Sequence, residues 1–368
     1  MKRLFWHFLS NRWNSAITEY AISCARATMQ LGAEVQFFAR IGSPAAARTE
    51  ALMPTTSLPR FDIRSLPTLI AAARRIKPAA IFTYGGPETV LAAIIARLAP
   101  TKIIRFRGEA VRSSSHTYRW RQRTSLDHLD LVLAPSQRLA FELSALGVKT
   151  PVEVVTLGCD TTRFYQSLGS PVSKAERPRI LVFGRFDPVK GHATMIQRMA
   201  HILALWGQKP NRPALHIVGE PANVTVSELE QETRQAGLTV GTDVVISSSR
   251  INDVASLLAS SALGVVPSLG SEIICRVAQE FLLCGTPVAV SGAGSLPEVL
   301  FEDAGFTFDG EDPKADLDHF INWTLRSANE THQRKAARAA AAKERFSLEA
   351  MATRLDQVFK THFGSDFI

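Results

Sequence analysis

Two glutamates eight positions apart, Glu272 and Glu280, lie in the otherwise apolar run "GSEIICRVAQEFLLCGTPV" of residues 270–288. Burying an unpaired carboxylate is costly, so both side chains need partners or solvent. On one ideal helix, eight residues separate two side chains by about 80° and about 12 Å along the axis. That separation is too large for a shared proton or metal ion, but it suits two contacts with one extended ligand. The alternative is an amphipathic helix whose two glutamates reach solvent.

A glycine-bearing turn with two cations follows an apolar strand in "ILVFGRFDPVKGHATMI", residues 180–196. Gly184 and Arg185 come directly after the strand, and Lys190 precedes a helix. In this arrangement a backbone can approach a phosphate. Arg185 would bind the phosphate through two guanidinium hydrogen bonds, and Lys190 through the charge of its ammonium group. An ordinary turn with two solvated cations is the alternative. Neither a dinucleotide-binding glycine motif nor a nucleoside triphosphatase loop is present in the sequence.

Strand-like runs alternate with helical patterns along the whole chain, which predicts parallel strands covered by helices. The first series of strands is predicted at 3–9, 34–40, 79–85, 102–108 and 131–136. A second series is predicted at 180–186, 214–219, 243–248, 263–268 and 287–292. Between them, "SLGSPVSKAERPR" (167–179) has the composition of a linker. We therefore predict two α/β units with a ligand site beyond the carboxyl ends of their strands.

Composition is that of an ordinary globular enzyme, with 46% hydrophobic and 21% charged residues among 368. The apolar runs are shorter than the roughly 20 residues of a membrane span. The start, "MKRLFWHFLSNRW", superficially resembles a signal peptide, but a first β-strand fits it better. Four scattered cysteines are typical of a reducing cytoplasm, which is the predicted location.

Positive charge is concentrated in the first half of the chain, since residues 1–172 carry +11 and residues 173–368 carry −3. Aromatic residues are interleaved with arginines over 97–123, which favours a surface that meets an anionic membrane or acceptor. Nucleic-acid binding and plain solubility are the alternatives, and no nucleic-acid partner is predicted. The predicted acceptor or membrane patch consists of Arg105, Arg107, Arg112, Arg119, Arg121 and Arg123.

Several stretches together resemble the retaining glycosyltransferases of family 4, which have the GT-B fold. The stretches in the second half are "GRFDPVKG" (184–191), "VPSLGSE" (266–272), "CGTPVAVSGAGSLPEVL" (284–300) and "RFSLEAMATRL" (345–355). In the first half the likeness is weaker, in "LAPSQRLAFELSALGV" (133–148) and "VVTLGCDTTRF" (154–164). The resemblance implies an acceptor-binding domain at 1–170, a nucleotide-sugar domain at 171–345, and a final helix at 346–368 that packs back on the first domain. The two Rossmann-like domains are expected to face each other across a cleft.

The resemblance also implies roles for individual residues. Glu272 would face the donor sugar, Glu280 would bind the ribose hydroxyls, and Arg185 and Lys190 would hold the diphosphate. Glu272, Arg185 and Lys190 are accordingly the expected catalytic residues. The expected donor-binding residues are Gly184, Arg185, Lys190, Arg250, Glu272, Ile273, Ile274, Cys275 and Glu280. Backbone amides of Gly294 and Ser295 could hold the distal phosphate or sugar, or could only cap a helix.

Some positions depart from the family pattern. Ile273 and Cys275 occupy positions where family members often have glycine, and Arg105, Arg107 and Gly108 stand where a histidine often contacts the donor sugar. The resemblance implies a metal-independent retaining transferase that uses a nucleotide-sugar donor, with UDP-sugars slightly favoured. Its acceptor would be a saccharide or lipid-linked glycan, as in bacterial lipopolysaccharide or capsule synthesis at the inner face of the membrane. A related epimerase or phosphorylase and a non-catalytic binding protein are the alternatives.

Overall fold

The computed structural model describes residues 3–13, 15–111, 116–165, 177–207, 209, 211–249, 251–270 and 272–368. The chain divides into two compact units. The first contains residues 1–159 and 346–368, and the second contains residues 160–345. The chain therefore returns to its first unit at the C-terminus.

Each unit is built on one parallel sheet. Among the described residues, the first sheet has seven strands in the order β3-β2-β1-β4-β5-β6-β7, and the second has six in the order β10-β9-β8-β11-β12-β13. The strands of the first sheet are β1 Leu4–Leu9, β2 Glu34–Arg40, β3 Thr55–Leu58, β4 Ala80–Thr83, β5 Lys102–Phe106, β6 Leu131–Ala134 and β7 Val152–Val154. Those of the second are β8 Arg179–Phe183, β9 Ala214–Val218, β10 Val244–Ser247, β11 Leu263–Val266, β12 Val288–Ser291 and β13 Gly305–Phe308.

Helices connect the strands and cover the sheets, as parallel pairing requires. Those of the first unit are α1 Ala16–Gln30, α2 Pro44–Glu50, α3 Leu66–Ile76, α4 Gly86–Leu98, α5 His116–Leu126, α6 Gln137–Ala145 and, at the C-terminus, α14 Leu348–Phe363. Those of the second unit are α7 Thr161–Tyr165, α8 His192–Trp206, α9 Val226–Gln235, α10 Val254–Ala259, α11 Arg276–Leu283, α12 Leu317–Ala328 and α13 His332–Phe346, which ends on the first residue of the returning segment. Within the described residues, no helix has the length and hydropathy needed to cross a membrane.

The C-terminal helix α14 packs on α1 in the first unit. Its Phe359 is buried and stacks on Phe5 of β1, with the ring centroids 6.1 Å apart, and meets Phe82 of β4 edge-on. The prediction of two Rossmann-like domains with a final helix returning to the first is confirmed by this packing.

The central strands lie where the apolar runs predict them, but three strands were not predicted. These are β3, β7 and β13, each of which lies at an edge of its sheet. Their sequences, "TTSL", "VEV" and "GFTF", lack the continuous apolar run that marks a buried parallel strand. Most of the predicted linker, 167–176, lies outside the described residues, and its last residue, Arg179, begins β8.

Candidate functional site

The glycine-bearing turn after β8 is held against the segment that follows β11. It contains a 3-10 turn, Pro188–Lys190, and then Gly191 with φ +70°. A Cβ atom on Gly191 would lie 1.9 Å from the carbonyl oxygen of Pro267, so glycine is required there for both conformation and space. Lys190 is therefore fixed beside the end of the neighbouring strand.

Asp187 supports the same turn from within. Its carboxylate accepts hydrogen bonds from the backbone N–H of Val189 at 3.2 Å and from the Asn223 side chain at 2.8 Å. Both hydrogen bonds lower the pKa of Asp187, and the one from Asn223 has the larger effect. Arg185 also pairs with Asp187, 3.4 Å away, but its side chain is 64% exposed and remains accessible to a ligand.

Glu272 meets Lys190 in the turn before α11. The Lys190 ammonium group contacts Oε1 of Glu272, and the Ser268 hydroxyl donates to the same oxygen at 2.8 Å. The side chains of Lys190 and Glu272 are 33% and 17% exposed. The structure thus brings together a cation and a carboxylate that are 82 positions apart in the chain.

Gly294 and Ser295 pack against the backbone of Glu272. Gly294 has φ +57°, and a Cβ atom there would lie 2.2 Å from the Glu272 carbonyl oxygen. The N–H of Ser295 donates to that oxygen at 2.6 Å. The Ser295 amide thus fixes the turn that carries Glu272, which is a structural role of the kind left open as the alternative to holding a phosphate or sugar.

The segment after Glu272 is tightly packed. Ile274 and Cys275 are 6% and 5% exposed, and Cys275 has φ +56° at the N-terminus of α11. A left-handed backbone explains why glycine is the easier residue at this position. The expected donor-binding role therefore does not extend to the side chains of Ile274 and Cys275, which point into the protein core, whereas Ile273 is half-buried.

Glu280 lies inside α11 and is 3% exposed. Its Oε1 atom accepts a hydrogen bond of 2.7 Å from the guanidinium group of Arg276, one helical turn earlier. Arg276 is 40% exposed, so the ion pair links a buried carboxylate to the surface. The sequence reasoning did not single out Arg276, although its spacing of four residues from Glu280 on a helix could have identified it.

His192 follows the turn at the first position of α8. Its ring is 3% exposed, and burial lowers its pKa to about 4. The imidazole is consequently neutral near pH 7 and adds no fixed charge. Arg185 and Lys190 remain the cations of this turn.

The predicted arginine patch of the first unit separates into buried and exposed members. Arg105 and Arg107 are 8% and 7% exposed. Arg105 donates to the carbonyl oxygen of Gly85 at 2.6 Å, and Arg107 donates to that of Glu109 at 3.2 Å. These two arginines therefore do not lie on a membrane-facing surface, because their guanidinium groups are used inside the fold.

The remaining patch residues belong to α5 or lie outside the described part of the chain. Arg119 is exposed, Arg121 shares its helix, and Arg123 pairs with Asp127 at 3.9 Å. Arg112, together with the expected nucleobase neighbour Arg250, lies outside the described residues.

Two family models match the chain, one in each half. "Glycosyltransferase Family 4" matches residues 17–163, and "Glycosyl transferases group 1" matches residues 177–324. The chain therefore belongs to the group 1 glycosyltransferases of family 4.

Curated relatives match only part of the chain. A D-inositol 3-phosphate glycosyltransferase of Xylanimonas cellulosilytica is 31% identical over 201 residues, which is 53% of this chain and 44% of that protein. An MMP alpha-(1->4)-mannosyltransferase of Mycolicibacterium hassiacum is 31% identical over 163 residues, which is 41% of this chain and 34% of that protein. The match thus spans less than half the length of these relatives.

Solved structures share the fold over nearly the whole chain. The Anabaena protein HepE, in complex with UDP and glucose, has a TM-score of 0.77 and 18% identity over 98% of this chain and 100% of its own. A glycosyltransferase from Rickettsia africae has a TM-score of 0.81 and 13% identity over 98% of each chain. The lipopolysaccharide outer core galactosyltransferase WaaB in its apo form has a TM-score of 0.72 and 12% identity over 98% of this chain and 99% of its own. The two parallel sheets of this chain therefore form the GT-B fold.

Proposed function

We propose that this protein is a retaining glycosyltransferase that transfers a sugar from a nucleotide diphosphate sugar to a saccharide or lipid-linked acceptor. The observation that carries the proposal is the contact of Lys190 with Glu272, supported by Ser268, at the carboxyl ends of β8 and β11. This is the edge at which open parallel sheets bind ligands. Because the chain belongs to a glycosyltransferase family, sugar transfer is the reaction that we propose for this site.

The two cations of the turn would bind the donor diphosphate. During transfer, the bond between the anomeric carbon and the diphosphate breaks, and negative charge develops on the departing phosphate. Arg185 and Lys190 are held by a rigid turn and can stabilise that charge without reorganisation. Glu272 compensates part of the charge of Lys190, and a donor diphosphate would be a second anion for the same ammonium group.

The two carboxylates would bind opposite ends of the donor. Glu272 lies beside Lys190 and would contact the sugar hydroxyls, and Glu280 would accept hydrogen bonds from the ribose diol. Two hydroxyl donors would offset the cost of keeping Glu280 buried. Because no side chain is assigned as a nucleophile, the proposed path to retention is front-face attack, with the leaving phosphate taking the acceptor proton. No metal ion is part of this proposal.

The donor base and the acceptor are proposed from the fold neighbours. HepE was crystallised with UDP and glucose, which favours a UDP-sugar. WaaB, a lipopolysaccharide galactosyltransferase, shares the fold, and this favours an acceptor of the bacterial cell envelope such as lipopolysaccharide or capsule. The proposed working place is the cytoplasmic face of the membrane that carries such acceptors.

Replacement of Lys190 by alanine tests the proposal. We expect a loss of donor turnover of about a hundredfold, measured as UDP release from UDP-sugars with and without acceptor, because one charge-stabilising contact is worth about 3 kcal/mol in the transition state. Lys209→Ala, at an exposed site of the same unit, is the matched control. A thermal-shift screen of UDP, GDP and ADP would first identify the base, since a ligand at 100 times its dissociation constant stabilises by about 2.7 kcal/mol.

Unchanged turnover in the Lys190→Ala protein would contradict the assignment. If none of the nucleotides stabilised the wild-type protein, the proposal of a nucleotide-sugar donor would itself be wrong.

A further inference from the structure

Large apolar side chains are exposed on three loops of the first unit. Trp13, in the loop after β1, is 74% exposed; Ile41, in the loop after β2, is 61% exposed; and Ile63, in the loop after β3, is 73% exposed. Isolated exposed apolar residues are common, but three of this size on consecutive loops require an explanation.

The three loops are neighbours because their strands are neighbours. β3, β2 and β1 lie side by side in parallel, with Leu9 in register with Ala39 and Arg40 in register with Leu58. All three loops therefore follow the carboxyl ends of neighbouring strands, which lie about 5 Å apart. We call this side of the sheet its carboxyl edge.

Arginines surround the apolar residues at this edge. Arg12, Arg40, Arg60 and Arg64 lie in the same three loops or at the end of β2. Within the described part of the chain, none of these four guanidinium groups has an ion-pair partner. The acid among them, Asp62, accepts a hydrogen bond from the backbone N–H of Arg64 at 3.0 Å, so its carboxylate is used to cap the 3-10 turn that carries Ile63.

We propose that these seven residues, Arg12, Trp13, Arg40, Ile41, Arg60, Ile63 and Arg64, form a docking surface for an anionic lipid bilayer; we name it the loop fringe. Apolar side chains that enter the acyl boundary, flanked by cations that meet lipid phosphates, are the chemistry of interfacial membrane binding. The charge complementarity selects an anionic bilayer as the occupant, because four arginines without ion-pair partners among the described residues attract anionic headgroups while the apolar side chains between them enter the acyl boundary.

Helices α5 and α6 of the first unit also expose aromatic residues, and two of their described arginines are paired. Trp120 of α5 and Phe141 of α6 are 58% and 74% exposed. The arginines near them are partly compensated, since Arg123 pairs with Asp127 and Arg138 pairs with Glu142 at 3.3 Å. We therefore assign membrane contact to the loop fringe, whose four described arginines have no ion-pair partner, and use α5 as the comparison surface in the test.

Co-sedimentation with vesicles tests the loop fringe in the intact protein. With vesicles of 30% phosphatidylglycerol in phosphatidylcholine, we expect binding that weakens with salt and is lost on pure phosphatidylcholine. Arg60→Gln with Arg64→Gln should lower the partition coefficient about 25-fold, at roughly fivefold for each arginine near an anionic surface. Trp13→Ser with Ile63→Ser should lower it at least tenfold, because both apolar side chains leave the interface.

Three controls separate the loop fringe from other causes. Arg119→Gln with Arg123→Gln removes equal charge from α5, Leu205→Ser removes an apolar side chain that is 51% exposed on the second unit, and both should retain binding. Circular dichroism and UDP calorimetry on every variant check folding and the donor site independently, so a failure of the proposed function would leave the vesicle result intact.

Loss of binding only in the α5 variant, no binding of the wild type, or equal binding to neutral vesicles would each overturn the proposal. Self-association that depends on Trp13 and Ile63, without vesicle binding, would assign the loop fringe to a second copy of the chain instead.

Discussion

Arg276 allows Glu280 to be buried in α11 as a carboxylate. A carboxylate that is 3% exposed would be strongly disfavoured as an anion without a partner, and Arg276 supplies that partner from the preceding helical turn. The spacing of Glu272 and Glu280 could be recognised from the sequence alone. The four-residue spacing of Arg276 and Glu280 makes Arg276 a candidate partner of Glu280, and the structure shows the pair formed because both residues lie in α11.

The proposed ribose contact of Glu280 makes a prediction about sugar discrimination. We expect the wild-type protein to bind UDP more tightly than 2′-deoxyuridine diphosphate. Glu280→Gln should lose about tenfold of UDP affinity and less of its affinity for the deoxy analogue, which keeps only the 3′ hydroxyl, since a hydrogen bond to a charged group is worth about 1.5–3 kcal/mol. Isothermal titration calorimetry measures both.

Arg276→Gln should weaken UDP binding in the same direction, and its effect should vanish in the Glu280→Gln background if the two act as a pair. Additive losses would instead show that Arg276 and Glu280 make independent contacts. Glu344→Gln, on α13, serves as the neutral control.

At the scale of the element, turns position the site more than helices or strands do. Gly191 lets the turn after β8 approach Pro267, and Gly294 lets the turn after β12 approach Glu272, in each case closer than any Cβ atom permits. The sequence indicated Gly294 as a possible ligand contact. In the structure both glycines bring backbone segments together.

Replacement of Gly294 by alanine should therefore disturb Glu272 although no charged group changes. The left-handed backbone alone costs an alanine about 1–2 kcal/mol, and the close approach to the Glu272 backbone forces a further shift. We expect a lower melting temperature and at least a tenfold loss of donor turnover. Gly292→Ala is the matched control, because Gly292 has open space around its Cβ position and no left-handed backbone. Equal behaviour of the two variants in melting and turnover would show that Gly294 does not position Glu272.

At the scale of the whole molecule, the chain crosses from the second unit back to the first before it ends. Helix α14 covers α1. Phe359 of α14 and Phe367, which follows the helix, both contact Phe5 in the core of the first unit. The core of the first unit therefore includes side chains from the segment 346–368.

Phe359→Ala should destabilise the first unit selectively. Replacing a buried phenylalanine by alanine lowers the free energy of unfolding by about 3–5 kcal/mol, because neighbouring side chains fill the cavity only partly. Hydrogen exchange followed by mass spectrometry should show faster exchange in β1 and β4, while β8, β11 and the UDP affinity remain as in the wild type. Lys360→Ala, an exposed neighbour on the same helix, is the control. Faster exchange throughout both sheets would show instead that the two units unfold together.

The sequence by itself determined the order of the central strands along the chain, the two α/β units and the residue types of the donor site. These follow from local patterns, since a buried parallel strand needs a continuous apolar run and a buried carboxylate is conspicuous within one. Only the tertiary structure decided which charges meet. Lys190 reaches Glu272 across 82 positions, Arg105 and Arg107 are buried rather than exposed, and Trp13, Ile41 and Ile63 share one edge. Each depends on strand order and register, which pair residues distant in sequence and leave no periodic signal in it.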